Sequence, residues 1–162
     1  MSRRHLLILV SVTVAITAVT SLGTGGALAA GGKTLTATLT GAAEVPGPGD
    51  LDGTGTAEVT INPGLKSVCY TLAWANLEEP VWGAHIHEGE AGTAGGVVVT
   101  LFGGPILPRT SYPGTFTVSD CVTASVSAEQ LADFVDNPAG YYVNIHTDEF
   151  PDGAIRGQLS KS

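Results

Sequence analysis

From residue 33 to residue 40 the chain reads KTLTATLT, with apolar side chains at Leu35, Ala37 and Leu39 and hydroxyls between them. A period of two puts one set on each face of a β-strand. Similar short runs follow: TGTAEVTI (54–61), KSVCYTLAWA (66–75), VWGAHIH (81–87), VVVTLF (97–102), GTFTVSD (114–120), YYVNIHT (141–147) and GAIRGQLS (153–160). Turn-forming stretches separate most of them: PGPGDLDG, NPG, EEP, GEAGTAGG and PDG. Short alternating runs with frequent turn signals predict an all-β fold, an antiparallel Greek-key-like β-sandwich. Pro63-Gly64 reads as a hairpin turn. Val68, Tyr70, Leu72 and Trp74 share one strand face and read as core, and Trp82 as core or rim packing.

One segment breaks the pattern. Ser127 followed by Gln130 has the form of a capping box, and Leu131, Phe134 and Val135 then fall on one helical face. Asn137-Pro138 ends it. This predicts one short helix crossing between strands. There is no internal repeat and no linker, and GGPILPRTSYPG (103–114) reads as an exposed loop.

The N-terminus has a different character. MSRRH is basic, LLILVSVTVAITAV is an apolar run, and Ala27-Leu28-Ala29 supplies small residues for cleavage. Residues 1–29 therefore read as a secretory signal peptide, and residues 30–162 as one domain. Export sets the expected location: secreted, or associated with the cell envelope, without membrane attachment after cleavage.

Charge narrows the partners. The chain has 7 Lys and Arg against 15 Asp and Glu. Losing Arg3 and Arg4 with the leader leaves five scattered cations, too few for a phosphate-binding stripe, so nucleic acid is excluded as a partner. Cys69 and Cys121 are the only cysteines. In an exported chain they predict one structural disulfide, and no C-x-x-C spacing suggests a redox pair.

Candidate chemistry sits on two strands. GAHIHEGEAG (83–92) holds His85 and His87, and YYVNIHT holds His146; after leader removal these are all the histidines of the chain. Alternation puts Ala84 and Ile86 on one face of the first strand and both histidines on the other. Tyr142, Asn144 and His146 likewise oppose Val143 and Ile145, and Arg156 opposes Ile155. With the isoleucines in the core, three imidazoles and Arg156 point away from it. Whether the two histidine strands are neighbours is left open.

Four readings compete. The set can form turn-fixing hydrogen bonds. It can form a recognition surface of His85, His87, His146 and Arg156, with Tyr142, for an extracellular protein or glycan. His85, His87 and His146 can supply three nitrogens to copper or zinc, with Glu88, Asp148 or Glu149 as a fourth ligand, although Arg156 opposes a bound cation. A histidine can act as general base, but there is no Gly-x-Ser-x-Gly and no evident nucleophile. GEAGTAGG lacks the order and the Lys of a phosphate loop. Asp50 and Asp52 lack the other ligands of a calcium loop and read as a solvated turn.

Several stretches together resemble the CHRD domain, a repeat first named in the chordins and also found alone in exported bacterial proteins. They are LTGAAEVPGPGD (39–50), GTGTAEVTINPG (53–64), CYTLAWANLEEPVWGAHIHEGEAG (69–92), VVVTLF (97–102) and YYVNIHTDEFPDGAIRGQL (141–159). The usual Gly after the Phe-Pro pair appears here as Asp152-Gly153. The resemblance implies an extracellular all-β domain and no defined activity, and it covers the three histidines and Arg156. The His-x-His strand is also similar, over a short stretch, to the copper-binding strand of copper–zinc superoxide dismutases; the other metal ligands of that family have no counterparts here. The leading expectation is a non-enzymatic extracellular binding module without a cofactor. The alternative is a copper or zinc protein with oxidoreductase activity.

Overall fold

The computed structural model describes residues 31–77, 80–104 and 115–162. The expected leader, residues 1–29, lies outside the described residues, as does most of the 103–114 loop. The strands are β1 (Lys33–Thr40), β2 (Thr54–Asn62), β3 (Ser67–Ala75), β4 (Val81–Glu88), β5 (Val97–Gly103), β6 (Thr115–Thr123), β7 (Tyr141–Thr147), β8 (Ile155–Gln158) and β9 (Ser160–Lys161). Helix α1 (Ala128–Asp136) lies between β6 and β7. Each run of alternating residues has become a strand, and the last has split into β8 and β9 at Leu159.

All strand pairs are antiparallel, in one sheet of order β5-β4-β7-β8-β1-β2-β3-β6, with β9 also on β1. The sheet is nearly closed and sandwich-like. Tyr70 of β3 and Phe102 of β5 stand far apart in strand order, yet their rings lie 6.5 Å apart across the core. The seam between the halves is narrow, with Thr40 of β1 facing Arg156 of β8. Gly157 permits it, because a Cβ there would collide with the Thr38 carbonyl.

The core is the inward set of each alternation. Leu35, Leu39, Val59, Ile61, Val68, Leu72, Ile86, Val143, Ile145 and Ile155 are all buried. Each such side chain contributes about 1.5–3 kcal/mol relative to exposure. Tyr70 and Trp74 are buried with them, as their strand face predicts. The chain reverses between β2 and β3 at Pro63-Gly64, where the Asn62 side chain accepts a hydrogen bond from the Leu65 amide at 3.1 Å.

Helix α1 closes one end. Ser127 Oγ accepts from the Gln130 amide at 3.2 Å, Leu131 and Phe134 are buried, and Phe134 packs on Tyr141 with ring centroids 4.1 Å apart. Helix start and stop fall where the capping box and Asn137-Pro138 place them. Ser127→Ala is expected to cost about 1 kcal/mol, the usual worth of such a cap, read as a lower urea midpoint at unchanged m. An unchanged midpoint would show that packing of Leu131 and Phe134 alone sets the helix start.

Cys69 and Cys121 face each other in the β3–β6 register and are joined in a disulfide. Among the described residues no helix is long and apolar enough to cross a membrane.

Candidate functional site

Strand β7 lies directly between β4 and β8. That order brings the two histidine strands together, which alternation alone leaves undecided. The register aligns His87 with Tyr142 and Gln158, His85 with Asn144 and Arg156, and Gly83 with His146. These side chains stand on the face away from the apolar core. Gly83 contributes no side chain opposite His146, so His85 reaches diagonally to it. His85 Nδ1 lies 2.9 Å from His146 Nε2. One ring nitrogen from each of the three histidines lies within 4.8 Å of the others.

The face is not open. His87, Asn144, His146 and Arg156 are buried, Tyr142 with them, and only His85 is half-buried. This departs from the expectation of an exposed polar surface, and the cause is local. After β4 the glycine-rich 89–96 segment folds back over the sheet. The Glu88 amide donates to the Gly96 carbonyl at 3.1 Å, and a Cβ on Gly95 would collide with the Glu88 carbonyl. A side chain at that position would keep this roof from lying flat.

Arg156 holds the roof from below. Its guanidinium donates to the carbonyls of Thr93 at 2.7 Å and Glu90 at 3.0 Å, and to Gln158 Oε1 at 3.1 Å. It also lies over the Tyr142 ring, 3.4 Å from the centroid. Gln158 Nε2 adds a bond to the Gly89 carbonyl at 2.9 Å. In the register Arg156 pairs with Asn144, and its guanidinium reaches toward the loop.

The same folding-back sets the histidines. His87 Nδ1 donates to the Gly95 carbonyl at 2.9 Å, and His146 Nδ1 donates to the Pro151 carbonyl at 3.0 Å. A neutral imidazole with Nδ1–H committed to a carbonyl presents a bare lone pair at Nε2. His146 Nε2 lies 2.9 Å from His85 Nδ1, whose N–H donates to it, and 3.0 Å from Asn144 Oδ1, so its lone pair is already engaged. His87 Nε2 is buried and has no hydrogen-bond partner among the described residues. His87 stacks on Tyr142 at 4.8 Å, and Trp82, half-buried, lies 5.2 Å from the His146 ring. Among the described residues carboxylates stay outside the cluster: Glu88, Asp148 and Glu149 are exposed, and Glu88 faces Gln130 instead.

Electrostatics keep the imidazoles neutral. Burial pushes His85 down from 6.5 to about 4, helped by His146 and His87. Burial also lowers His87 and His146; the Gly95 carbonyl and the Asn144 side chain partly offset this at His87, and the Pro151 carbonyl and Asp152 at His146. Because the folded value lies below the unfolded one, the unfolded chain takes up protons first as pH falls. This contribution to stability is full above about 6.5 and is lost as pH falls through about 4.

Glu44 shows the opposite sign. It is buried beside Gly153, its Oε1 has no hydrogen-bond partner among the described residues, and desolvation raises it from 4.5 to about 7 against the pull of Arg156. Its contribution is full below about 4.5 and is lost as pH rises through about 7. Glu44→Gln is therefore expected to gain on the order of 2 kcal/mol over the parent at pH 8 and nothing at pH 4. Equal gains at both pH values would show that shape, not charge, governs the position. The neighbouring turn is also drier than its composition suggests: Asp50 is buried, and its Oδ1 accepts from the Gly53 amide at 3.2 Å.

The β8 strand, the roofed histidine pair and the Glu44 turn all fall inside the residues that match the family model of the CHRD domain, 35–159. The chain belongs to the CHRD family. The match takes in His85, His87, His146, Arg156 and both cysteines, so the cluster is part of the CHRD domain itself. Among curated proteins and among solved structures, none matches this chain.

Proposed function

We propose that this CHRD domain is an exported metal-binding module whose ligands are His85, His87 and His146. The observation that carries the reading is His87 Nε2, a buried lone pair without a partner, aimed into a cluster of three imidazole nitrogens within 4.8 Å. A buried polar atom left unpaired costs about 1–3 kcal/mol, and an ion bound there removes that cost. A transition metal bonded to nitrogens at about 2.0–2.1 Å sets neighbouring nitrogens roughly 3–4 Å apart, within the scale seen here. The Gly95 and Pro151 carbonyls hold the outer ring nitrogens of His87 and His146, the arrangement that orients imidazole ligands at metal sites.

A recognition surface for a protein or glycan has less support. Its residues are roofed, and Arg156 is 1% exposed, its donors committed to the loop. A small ion reaches the cluster past half-buried His85; a macromolecule would have to unfold the 89–96 segment first. Nothing in the arrangement supplies a nucleophile, so binding rather than hydrolysis is the function proposed.

Elemental analysis of the exported protein, exposed to copper and zinc and then desalted, decides the matter. About one equivalent of metal is expected, lost in His87→Ala and His146→Ala while circular dichroism still shows a folded β-protein. No retained metal in the parent protein would sink the proposal and leave the cluster with a purely structural role.

A further inference from the structure

The geometry points to copper in its monovalent state as the ion this site is built to hold, an inference that rests on the metal-binding reading above. Among the described residues the donors are three neutral nitrogens, with no carboxylate or thiolate in the cluster. A divalent ion there would keep its whole charge in a buried place. The cost of desolvating an ion rises with the square of its charge, so a monovalent ion loses far less on entry.

Arg156 sharpens the preference. Its guanidinium lies against Tyr142, and Tyr142 stacks on His87. Every hydrogen bond it donates goes to a neutral acceptor, the carbonyls of Thr93 and Glu90 and the Gln158 amide oxygen. No carboxylate is hydrogen-bonded to it, and buried Glu44 within its field offsets its charge only in part, so its repulsion of an ion behind Tyr142 still scales with that ion's charge. Zinc also wants a fourth ligand, and the nearby carboxylates among the described residues, Glu88, Asp148, Glu149 and Asp152, are exposed and outside the cluster. Cuprous copper is satisfied by three nitrogens. The Trp82 ring, 5.2 Å from His146, adds an aromatic flank of the kind that tolerates a soft, weakly hydrated cation.

Zn(II) is the informative competitor, because it shares the filled d shell of Cu(I) and differs in charge. The metal-free exported protein would be titrated without oxygen, with ascorbate as reductant so that the disulfide survives. Bicinchoninate buffers Cu(I) in one series, and a zinc-sensitive dye buffers Zn(II) in the other. Cu(I) is expected to bind about tenfold or more tighter than Zn(II), from the added charge beside the guanidinium. It should quench tryptophan emission in the parent and much less in Trp82→Phe, which places the ion beside His146. In Arg156→Gln the Cu(I) to Zn(II) ratio should fall; should that variant not fold, the parent ratio alone decides. Zinc binding as tightly as Cu(I), or quenching indifferent to Trp82, would overturn the inference while leaving metal binding intact. Failure of both ions to bind would overturn the two readings together.

Discussion

Arg156→Met is expected to lower the unfolding free energy by about 3 kcal/mol, a fall of about 10 °C in Tm for a domain of this size. The two opposing effects can be weighed. Removing the charge relieves the cost of burying a guanidinium that is 1% exposed. Against this, three charge-assisted hydrogen bonds and the Tyr142 contact disappear. Such bonds are worth about 1.5–3 kcal/mol each when made to a charged group, so the loss wins. The effect should be local as well as global. The Glu90 and Thr93 carbonyls are released, so the roof over the histidines opens and protease cuts within residues 89–96 before the sheet melts. Arg156→Lys should recover only part of the loss, because an ammonium lacks the planar fork that spans two carbonyls and the Gln158 oxygen. Unchanged stability with an uncut loop would mean that Gln158 and the Gly95 contacts hold the roof without help.

Removing the disulfide has the larger effect, on the order of 4 kcal/mol. Cys69 and Cys121 close a loop with a sequence separation of 52, and the chain-entropy account assigns about 4 kcal/mol to a ring of that length. The location argues that the full value is felt. β6 is an edge strand paired only with β3, and Phe116, Val118 and Val122 are only partly buried against the core. The covalent link therefore does for β6 what burial does for the central strands. Cys69→Ala with Cys121→Ala should lower the urea midpoint accordingly, and the parent treated with reductant should match it. The metal content should not change, since the histidines lie on β4 and β7 in the other half of the sheet. A loss below about 1 kcal/mol would indicate that the reduced unfolded chain keeps β3 and β6 together by itself.

Much of this protein is legible one strand at a time. KTLTATLT, KSVCYTLAWA and YYVNIHT each carry their own period of two, and the inward residue of each is where alternation puts it: Leu39, Leu72 and Ile145 are fully buried. Ser127 and Asn137-Pro138 mark a helix because caps and breakers act within a few residues. The cysteine pair is legible because two cysteines leave one bond to make. The outward direction of His85, His87, His146 and Arg156 also follows from alternation alone.

The burial of those four residues does not. Alternation tells which way a side chain leaves a strand and says nothing of what the chain later lays over it. The 89–96 segment reads as a solvated glycine-rich turn, and its folding-back depends on carbonyls of its own backbone meeting Arg156 and Gln158, more than 60 residues away. Asp50 is dry for a similar reason, its amide donating to the Ala154 carbonyl at the start of β8. The adjacency of β4 and β7 was equally out of reach, since strand order follows from how the sheet closes over the core. The sequence by itself determined the strands, their faces, the helix and the class of side chain on the outer face. Only the tertiary structure decided that three histidines from two strands meet under a roof, because that meeting is made by long-range backbone hydrogen bonds that no local pattern encodes.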